Sequence, residues 1–434
     1  MPHADQTIDI IVYGATGYTG KLVCTYFKTQ YLDHNGSSDE TLKIGIGGRS
    51  KEKLEKVKSE LDLPSSLPTF VVDSFDADGL VNMCKQTKAV ITLVGPYALY
   101  GDALISACAE TGTHYFDLTG EPLWVSNQIS ILNKKARQTQ SIIIPSCGWD
   151  SVPSDLNTMI ASKELKEIIG QEMSVGRVTS GVELKSGSAS FGTTASLLGM
   201  FDGGIPALRK VMDCYLLSPI EGIQKGTGDW ITREDSLVGG FFVMAPHNGA
   251  IIRRTWGLLE SAEEYVPNHT KYGPQFTYEE YLITPGIITA FLLTLVCRIL
   301  VIIFLLPQIR YLVKRVGHQS GEGPSEKERE AGWFKLITIA HSPDDDVQVR
   351  VKMSGNKDPS SDVDDVGYGW TSMCIAECAV TVIKSYDQLP PLAKSGGILT
   401  PATGMGDALL RRLLSGKIIE LETQVIKNEK KKIN

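Results

Sequence analysis

The sequence lacks the usual signatures of a metal site and of a disulfide framework. It contains no Cys-x-x-Cys pair, no His-x-x-x-His pair and no cluster of cysteines with histidines. Its eight cysteines are scattered along 434 residues, a pattern typical of free thiols in a reducing compartment. We therefore predict no bound metal, and we expect the cysteines to act as small buried apolar side chains.

An excess of positive charge and an N-terminal signal are also missing. The 43 basic residues are outnumbered by 50 acidic ones, and the net charge of −7 argues against nucleic acid as the main partner. The first residues, Met-Pro-His-Ala-Asp-Gln, include neither a basic region nor an apolar run, so no secretory signal is predicted. A hydrophobic fraction of 42% over this length predicts a folded protein of two or more domains.

What the sequence does contain, at residues 14–20, is a glycine-rich turn typical of dinucleotide binding. An apolar stretch ending at Tyr13 is followed by Gly14, Gly17 and Gly20, and then by a helical segment. The glycines permit a sharp turn, close approach of backbone amides to a pyrophosphate, and close packing of the helix on the strand. The phosphate then lies at the positive end of the helix dipole.

The end of the next apolar stretch, 42–47, indicates which nicotinamide cofactor binds. An acidic residue there holds the ribose hydroxyls of NAD, whereas Arg49 offers a bidentate fork to a 2′-phosphate and Ser50 adds a hydroxyl donor. We predict NADP(H); the alternative is that Arg49 is a solvated loop charge. The cofactor-binding residues predicted in this half of the domain are Gly14, Thr16, Gly17, Tyr18, Thr19, Gly20, Arg49, Ser50 and Asp73.

The pattern of elements predicts an α/β protein. Up to residue 150, apolar strands alternate with helices, which implies a Rossmann-type, doubly wound parallel sheet over 1–150. Beyond it, longer strand-like stretches at 173–185 and 335–353 predict a second α+β domain over 151–370, with an antiparallel sheet. We expect the Gly- and Ser-rich segments 186–204 and 226–240 to connect these strands, and helices to dominate the C-terminal part, 371–434.

One long apolar run occurs within the second domain. Residues 287–306 form twenty residues with a single charge, Arg298, which is about the length of a transmembrane helix. The alternative is a buried core helix, although twenty apolar residues are hard to enclose in a domain of this size. The insertion as a whole covers 283–316 and ends with the basic residues Arg310, Lys314 and Arg315.

Two arguments oppose a simple membrane crossing by this run. An arginine at the bilayer centre costs a few kcal/mol on insertion scales. In addition, if the strands before and after the run complete one domain, both of its ends must lie on the same side of the membrane. We therefore predict a helix at the interface or a hairpin dipping into one leaflet, with the basic residues at the lipid headgroups.

Six motifs follow one another at characteristic intervals. They are Gly14-Ala-Thr-Gly-Tyr-Thr-Gly20, Gly48-Arg-Ser-Lys-Glu-Lys-Leu54, Val94-Gly-Pro-Tyr97, Gly112-Thr-His-Tyr-Phe-Asp-Leu-Thr-Gly-Glu121, Ile144-Pro-Ser-Cys-Gly-Trp-Asp-Ser-Val-Pro-Ser-Asp-Leu156 and Gly397-Ile-Leu-Thr-Pro401. In this order they resemble the saccharopine dehydrogenase-like oxidoreductases, in particular a eukaryotic branch associated with membranes and lipid droplets. The resemblance implies a Rossmann domain, a second domain inserted after it, and a C-terminal stretch that returns to the first.

The resemblance also suggests the class of substrate. Saccharopine-forming enzymes carry a Pro-Gly pair and a histidine after the last Rossmann strand, and the stretch Gly148–Asp155 lacks both. Bacterial relatives in the family include enoyl reductases of lipid biosynthesis, so an apolar carbonyl or alkene is the expected substrate. The resemblance further implies that Gly95 and Pro96 line the nicotinamide side of the cofactor, the alternative being a plain structural turn.

Candidates for proton transfer are expected at the carboxyl ends of the predicted strands, where open α/β sheets bind ligands. Tyr97, Glu121 and Asp150 are the predicted catalytic residues. Tyr97 has the alternative role of packing against the nicotinamide, and Glu121 and Asp150 have the alternative role of capping a helix.

The sequence thus predicts an NADP(H)-dependent oxidoreductase that transfers hydride to a lipid-like substrate. We expect it to lie on the cytosolic face of a membrane, either the endoplasmic reticulum or a lipid droplet, and to form a homodimer. Two alternatives stay open. One is a nucleotide-binding membrane or lipid-droplet protein without turnover, and the other is a soluble amino-acid dehydrogenase of the saccharopine type.

Overall fold

The structure, a computed structural model, contains two seven-stranded sheets with helices packed on both. It describes residues 6–32, 41–185, 198–199, 201, 203–226, 230–262, 266–316, 333–355 and 368–427. Parts of the predicted connections at 186–204 and 226–240, and the C-terminal tail from 428, lie outside these ranges.

The first sheet is parallel throughout, and its strand order is β3-β2-β1-β4-β5-β6-β13. This confirms the predicted doubly wound sheet, with the reversal of strand order between β1 and β4. The strands are β1 (Ile8–Tyr13), β2 (Ile44–Gly48), β3 (Thr69–Val71), β4 (Thr87–Thr92), β5 (His114–Phe116), β6 (Ile142–Ile144) and β13 (Gly397–Ile398).

Helices cover both faces of this sheet. Alternate residues of β1 point to opposite faces, so Ile10 and Val12 join one apolar core while Ile11 and Tyr13 join another. The helices in this part of the chain are α1 (Tyr18–Phe27, continued by a π-helical turn at Lys28–Leu32), α2 (Lys51–Glu60), α3 (Ala77–Cys84), α4 (Tyr97–Tyr100), α5 (Asp102–Thr111) and α6 (Pro122–Gln138).

The second sheet has the order β14-β12-β11-β7-β10-β9-β8. Its strands are β7 (Arg177–Lys185), β8 (Thr232–Glu234), β9 (Leu237–Gly240), β10 (Thr277–Ile283), β11 (Trp333–His341), β12 (Val347–Gly355) and β14 (Ile419–Lys427). The predicted second domain is confirmed, but its sheet is mixed rather than antiparallel, because β10 pairs with β7 in the parallel sense. A hairpin, β8–β9, also occupies part of the segment expected to be a connection.

The helices after the first domain are α7 (Ser151–Ile169), α8 (Gly204–Val211), α9 (Ala245–Ser261), α10 (Ile287–Phe304), α11 (Pro307–Val316), α12 (Tyr368–Lys384), α13 (Pro391–Lys394), α14 (Pro401–Gly404) and α15 (Gly406–Ser415). Of these, α7 packs against β11 and β12 and α9 packs against α7 and β10, so both helices lie between the two sheets. This arrangement places the carboxyl ends of the Rossmann strands next to the second domain.

The C-terminal part of the chain contributes to both domains. Helix α12 packs on α1, where the buried Glu377 carboxylate accepts a hydrogen bond from the Tyr26 hydroxyl at 2.8 Å. Strand β13 extends the first sheet beside β6. Strand β14, however, pairs with β12 in the second sheet, where the sequence pattern had predicted only helices.

The apolar run forms helix α10, and only Ala290 and Thr294 of it are buried. The alternative of a core helix was therefore wrong. Within the described residues, α10 is a helix that is long and apolar enough to cross a membrane, by length and composition alone. The strands before and after the insertion, β10 and β11, both border β7 in the same sheet. Both ends of the insertion are therefore attached to the same sheet.

Candidate functional site

The glycine turn between β1 and α1 has the shape of a phosphate cradle. Gly14 has φ +88°, and a Cβ at this residue would lie 2.8 Å from Val94 Cγ2. A Cβ on Gly20 would lie 2.2 Å from the carbonyl oxygen of Gly14, so the helix packs too closely for any other residue. Gly17 precedes α1 and supplies no side chain to cap its first amides. The residues present therefore fit a pyrophosphate at this helix end.

The other predicted residues of the turn surround the same helix end. Thr16, Tyr18 and Thr19 are all half-buried. The Tyr18 ring contacts the ring of Tyr368 edge-on, with centroids 5.2 Å apart. The first turn of α1 is thus supported by α12, an element 350 residues away that local sequence patterns did not connect to this turn.

Arg49 lies where the sequence predicted, directly after β2, and it is exposed. Ser50 caps α2, because its hydroxyl accepts a hydrogen bond from Lys53 N at 3.3 Å. Asp73 follows β3, and its Oδ1 accepts a hydrogen bond from Phe75 N at 3.0 Å. The pKa of the Tyr13 hydroxyl is raised by burial and by Asp73 and lowered by Arg49, so both charges lie near the end of β1.

Gly95 and Pro96 follow β4 at the same edge of the sheet and lead into α4. The Tyr97 ring is buried against Trp124, with ring centroids 5.6 Å apart. Its hydroxyl donates to Thr92 O at 3.0 Å and accepts from Leu118 N at 3.1 Å. Burial, together with the nearby Asp117, raises the pKa of this hydroxyl well above its usual value. These bonds favour a structural role for Tyr97 over proton donation.

Glu121 is engaged in capping, the alternative considered from the sequence. Its two carboxylate oxygens accept hydrogen bonds from Tyr97 N at 2.9 Å and Ala98 N at 2.8 Å. Glu121 thus caps α4, which follows β4, rather than α6, which begins at the next residue. The carboxylate thereby holds the turn after β4 in place.

Asp150 differs from the other two candidates, because its carboxyl oxygen Oδ1 is buried without a hydrogen-bond partner. It precedes α7 and makes no side-chain capping bond there. The side chain lines a small cavity of about 10 Å³ between α7 and the second sheet, which has room for about one water molecule. The other residues lining this cavity are Trp149, Pro153, Ser154, Val182, Phe242, Asn248, Glu280, Phe334 and Leu336.

A second carboxyl group, Glu280, lines the same cavity from strand β10. It accepts hydrogen bonds from Ser154 Oγ at 2.7 Å, Asn248 Nδ2 at 2.9 Å and the Tyr278 hydroxyl at 3.3 Å. These donors stabilise the ionised form of Glu280, whereas Asp150 Oδ1 has no such donor. The two carboxyl groups therefore have different environments within one cavity.

The pKa values of both carboxyl groups are raised above their usual range. Burial raises the pKa of Asp150 to about 8, and the charge of Glu280 adds to this effect. Burial also raises the pKa of Glu280, to about 7, although its three hydrogen bonds lower it. Burial and the neighbouring Glu280 charge therefore keep Asp150 protonated near neutral pH. Asp150 is thus suited to be a general acid.

A set of buried hydrogen bonds links this cavity to the Rossmann strands. Ser146, which follows β6 and has φ +63°, donates from its hydroxyl to Thr119 O at 2.7 Å. The same hydroxyl lies 2.9 Å from His247 Nε2 on α9. Since Asn248 is the next residue on α9, these bonds position the donor to Glu280.

Several of these residues were missed in the sequence. Glu280, Asn248, His247 and Phe242 belong to segments that carried no recognised motif. One signal was present: Glu280 is a charged residue between two tyrosines, Tyr278 and Tyr281, in a stretch that forms a buried strand. A carboxyl group at such a position is uncommon unless it is bonded or functional.

Comparison with known proteins agrees with this geometry. Residues 10–144 match the family described as "Saccharopine dehydrogenase NADP binding domain". A Mycobacterium tuberculosis protein provisionally named a trans-acting enoyl reductase is 33% identical over 95% of this chain and 97% of its own length. A Mycobacterium bovis protein named trans-acting enoyl reductase is 32% identical over 96% of this chain and 98% of its own.

Among solved structures, the apo saccharopine dehydrogenase of Saccharomyces cerevisiae aligns with 96% of this chain and 100% of its own, at 10% identity and a TM-score of 0.48. The two sequence relatives above are mycobacterial, so the expected eukaryotic membrane branch stays a prediction. The family match supports NADP as the cofactor of the first domain. The chain belongs to the saccharopine dehydrogenase-like family of NADP-binding oxidoreductases.

Proposed function

We propose that this oxidoreductase reduces a carbon–carbon double bond conjugated to a carbonyl group in a lipid-like substrate. One observation carries the proposal: Oδ1 of Asp150 is buried without a hydrogen-bond partner and lines the same small cavity as the hydrogen-bonded carboxylate of Glu280. The names of the mycobacterial relatives, which refer to enoyl reduction, support the choice of reaction.

In this proposal the chain itself supplies orientation and a proton. When bound, NADPH supplies a hydride to the β carbon of the double bond. The Asp150 carboxyl donates its proton to the α carbon, so that one hydride and one proton convert the double bond to a single bond. Ser154 and Asn248 hold Glu280 in place by hydrogen bonds. The charge of Glu280 raises the pKa of Asp150 and so favours its protonated form. Asp150 recovers its proton from solvent.

The cavity gives less support to the amino-acid alternative. An amino-acid substrate presents a carboxylate, which proteins usually bind with arginine or lysine. Among the described residues that line the cavity, none is basic, and two are acidic. The walls are instead formed by Val182, Phe242, Phe334 and neighbouring apolar side chains.

A pH profile tests the proton-donor role. With NADPH and a crotonyl thioester, kcat/KM of the wild-type enzyme is expected to be constant at low pH and to fall tenfold per unit above an apparent pKa of about 8, as Asp150 loses its proton. Glu280→Gln removes a charge that raises this pKa, so the falling limb should move to lower pH. The matched control Glu279→Gln, one residue along β10, should leave the limb in place. If Glu280→Gln does not shift the falling part of the kcat/KM profile, the assignment of Asp150 as the proton donor is contradicted.

We also propose that α10 attaches the protein to the cytosolic surface of a membrane or lipid droplet. Its exposed face carries large apolar side chains, with Ile288 76% and Ile302 66% exposed. The guanidinium of Arg298 lies 3.8 Å from the centre of the Trp230 ring, a contact that reduces the cost of bringing this charge into an apolar medium. All eight cysteines are free thiols, which suits the reducing cytosol.

We expect α10 to lie along the membrane surface rather than to span the bilayer. Both flanking strands belong to one sheet, so both ends of α10 and α11 return to the same side. Arg310, expected at the lipid headgroups, instead donates hydrogen bonds to Phe304 O at 2.7 Å and Leu305 O at 3.1 Å. It caps the end of α10 and so satisfies carbonyls that an apolar medium would leave unpaired.

Flotation with phosphatidylcholine vesicles tests the attachment. The double variant Ile288→Asp/Ile302→Asp should reduce the vesicle-bound fraction at least about tenfold, since burial of each isoleucine side chain in an apolar medium contributes about 1.5–3 kcal/mol that an aspartate loses. Ile131→Asp, at a residue 61% exposed on α6, is the matched control and should float like the wild type. If the double variant instead converts a dimer to a monomer and wild-type protein does not float, α10 is a protein interface and the proposal is wrong.

A further inference from the structure

Asn248, near the start of α9, connects the two elements that carry the carboxyl groups. Its side-chain nitrogen Nδ2 donates a hydrogen bond to Glu280 Oε2 at 2.9 Å, and its oxygen Oδ1 accepts one from the Ser151 hydroxyl at 3.0 Å. Ser151 directly follows Asp150 at the start of α7, whereas Glu280 lies on β10. The Asn248 side chain is 1% exposed, so bulk water does not compete for these bonds.

Of the three described groups that bond Glu280, Asn248 has a fixed polarity and the other two do not. The hydroxyls of Ser154 and Tyr278, at 2.7 and 3.3 Å from Oε1, can rotate and accept a hydrogen bond from a protonated carboxyl. The Ser154 hydroxyl also lies 3.0 Å from the Asp150 carbonyl oxygen, a second acceptor for its single proton. An amide nitrogen can only donate, and its bond is stronger to a carboxylate than to a neutral carboxyl. Asn248 therefore favours the ionised form of Glu280.

Both domains hold the Asn248 amide in this orientation. Turning the amide over would place Oδ1 against Glu280 Oε2, which is tolerable only if a proton lies between the two oxygens. The Ser151 hydroxyl bonds Oδ1 on the other side. The preceding residue, His247, is fixed by the Rossmann domain, because its Nε2 lies 2.9 Å from the Ser146 hydroxyl after β6.

The Asp150 carboxyl lacks comparable support for a negative charge. Its Oδ1 has no hydrogen-bond donor among the described residues, whereas Glu280 has three within reach. The cavity that the two groups share has room for about one water molecule, so bulk solvent does not stabilise a charge there. When the pair holds one proton, the proton therefore resides on Asp150 as long as Asn248 donates to Glu280.

From these contacts we propose that Asn248 is a positioning residue, which keeps the proton of the carboxyl pair on Asp150 by donating a hydrogen bond to Glu280. This inference rests on the proposed function, in which Asp150 supplies that proton to the substrate. Asn248 acts through Glu280 and does not itself need to touch the reacting atoms.

The substitution Asn248→Leu keeps the approximate size of the side chain and removes its donor. Glu280 then binds a proton more readily, its charge beside Asp150 is reduced, and Asp150 loses its proton at lower pH. With NADPH and a crotonyl thioester, the falling part of the kcat/KM profile should move down by roughly one pH unit, the value of one hydrogen bond to a charged group. At a fixed pH on that part of the profile, kcat/KM should be about tenfold lower. Ser151→Ala, which only releases the amide, should cause a smaller shift in the same direction.

Asn157→Leu is the matched control for this substitution. Asn157 is a fully buried amide on α7 that donates to Thr338 Oγ1 at 3.0 Å and to Val351 O at 3.2 Å. Its loss should lower Tm but leave the pH profile in place. A profile that stays in place in both Asn248→Leu and Ser151→Ala, or that moves equally in Asn157→Leu, overturns the proposal.

Infrared difference spectra between acidic and alkaline buffer test the location of the proton without turnover. The carbonyl stretching band of the last buried carboxyl to ionise should be absent from Asp150→Asn. In Asn248→Leu, a band of protonated Glu280 should appear over the same pH range, and adding Glu280→Gln should remove it. If these spectra are as expected but the wild type does not reduce the thioester, the reaction is rejected and the role of Asn248 in placing the proton stands. If the wild type reduces the thioester but its band is lost in Glu280→Gln rather than in Asp150→Asn, the role of Asn248 is rejected and the reaction stands.

Discussion

Asp150→Asn is expected to lower kcat/KM for an enoyl thioester by about 10²–10⁴-fold, the usual contribution of a general acid. Asparagine keeps the size of the side chain but has no acidic proton to donate to the α carbon. The affinity for NADPH should be unchanged, because the cofactor turn begins at Gly14 and its described contacts do not include Asp150. Steady-state kinetics and a cofactor titration on the same preparation check both statements.

The pH dependence of the free energy of unfolding distinguishes a catalytic role of Asp150 from a structural one. The pKa of Asp150 is about 8 in the folded protein and about 3.9 in an unfolded chain, so the folded state binds more protons between these values. The free energy of unfolding therefore falls as pH rises through this window, by at most about 1.4 kcal/mol per unit. Asp150→Asn should remove this loss and raise Tm above pH 7. Glu121→Gln, which weakens a cap, should lower Tm instead.

An unchanged kcat/KM in Asp150→Asn, with a thioester that the wild type reduces, contradicts the assignment. A lower Tm of this variant at pH 8 would indicate that the carboxylate is a structural group. The two readouts are independent, because one measures the transition state and the other the folded ground state.

Arg49→Asp is expected to weaken NADPH binding by roughly 10–100-fold, the value of one or two charge-assisted hydrogen bonds to a phosphate. NADH binding should change little, because NADH has no 2′-phosphate. Arg49 is exposed directly after β2, in a position to receive that group. Fluorescence titration with both cofactors at one fixed ionic strength provides the comparison.

Arg49→Lys is the matched variant for this site. It keeps the positive charge but loses the planar fork, so its NADPH affinity should lie between those of the wild type and Arg49→Asp. Equal affinity of the wild type for NADPH and NADH, or equal losses for both cofactors in Arg49→Asp, contradicts the 2′-phosphate assignment.

The cofactor half of the protein was predictable because its signals are local. The turn at Gly14, the helix after it and Arg49 after the second strand all lie within 50 residues, and their spacing alone determines their geometry. The parallel sheet followed from the alternation of strands and helices. The same logic located Asp150, since it follows the last strand of that series.

The substrate half was not predictable in the same way, because its residues meet through tertiary structure. Glu280 and Asp150 are 130 positions apart, and they share a cavity only because α7 and α9 pack between the two sheets. Strand β14 was missed for a related reason: its pairing partner, β12, precedes it by more than 60 residues. The parallel pairing of β10 with β7 likewise depends on the long connection through α9.

The apolar run illustrates a third case, in which composition predicted the element but not its surroundings. A helix at 287–306 was expected and is present as α10. That Thr294 accepts a hydrogen bond from Phe241 N, or that Trp230 covers Arg298, required the fold. These contacts hold the helix against the end of β9 and the segment around Trp230.

The central claim, reduction of a conjugated double bond, is tested most directly by isotope transfer. The wild-type enzyme is incubated with NADPH carrying deuterium at the transferable position of the nicotinamide, together with a crotonyl or hexadecenoyl thioester. The account predicts a saturated product with one deuterium at the β carbon and a solvent-derived hydrogen at the α carbon. Tight NADPH binding without deuterium transfer to either thioester would contradict it, and would instead support a nucleotide-binding protein without turnover.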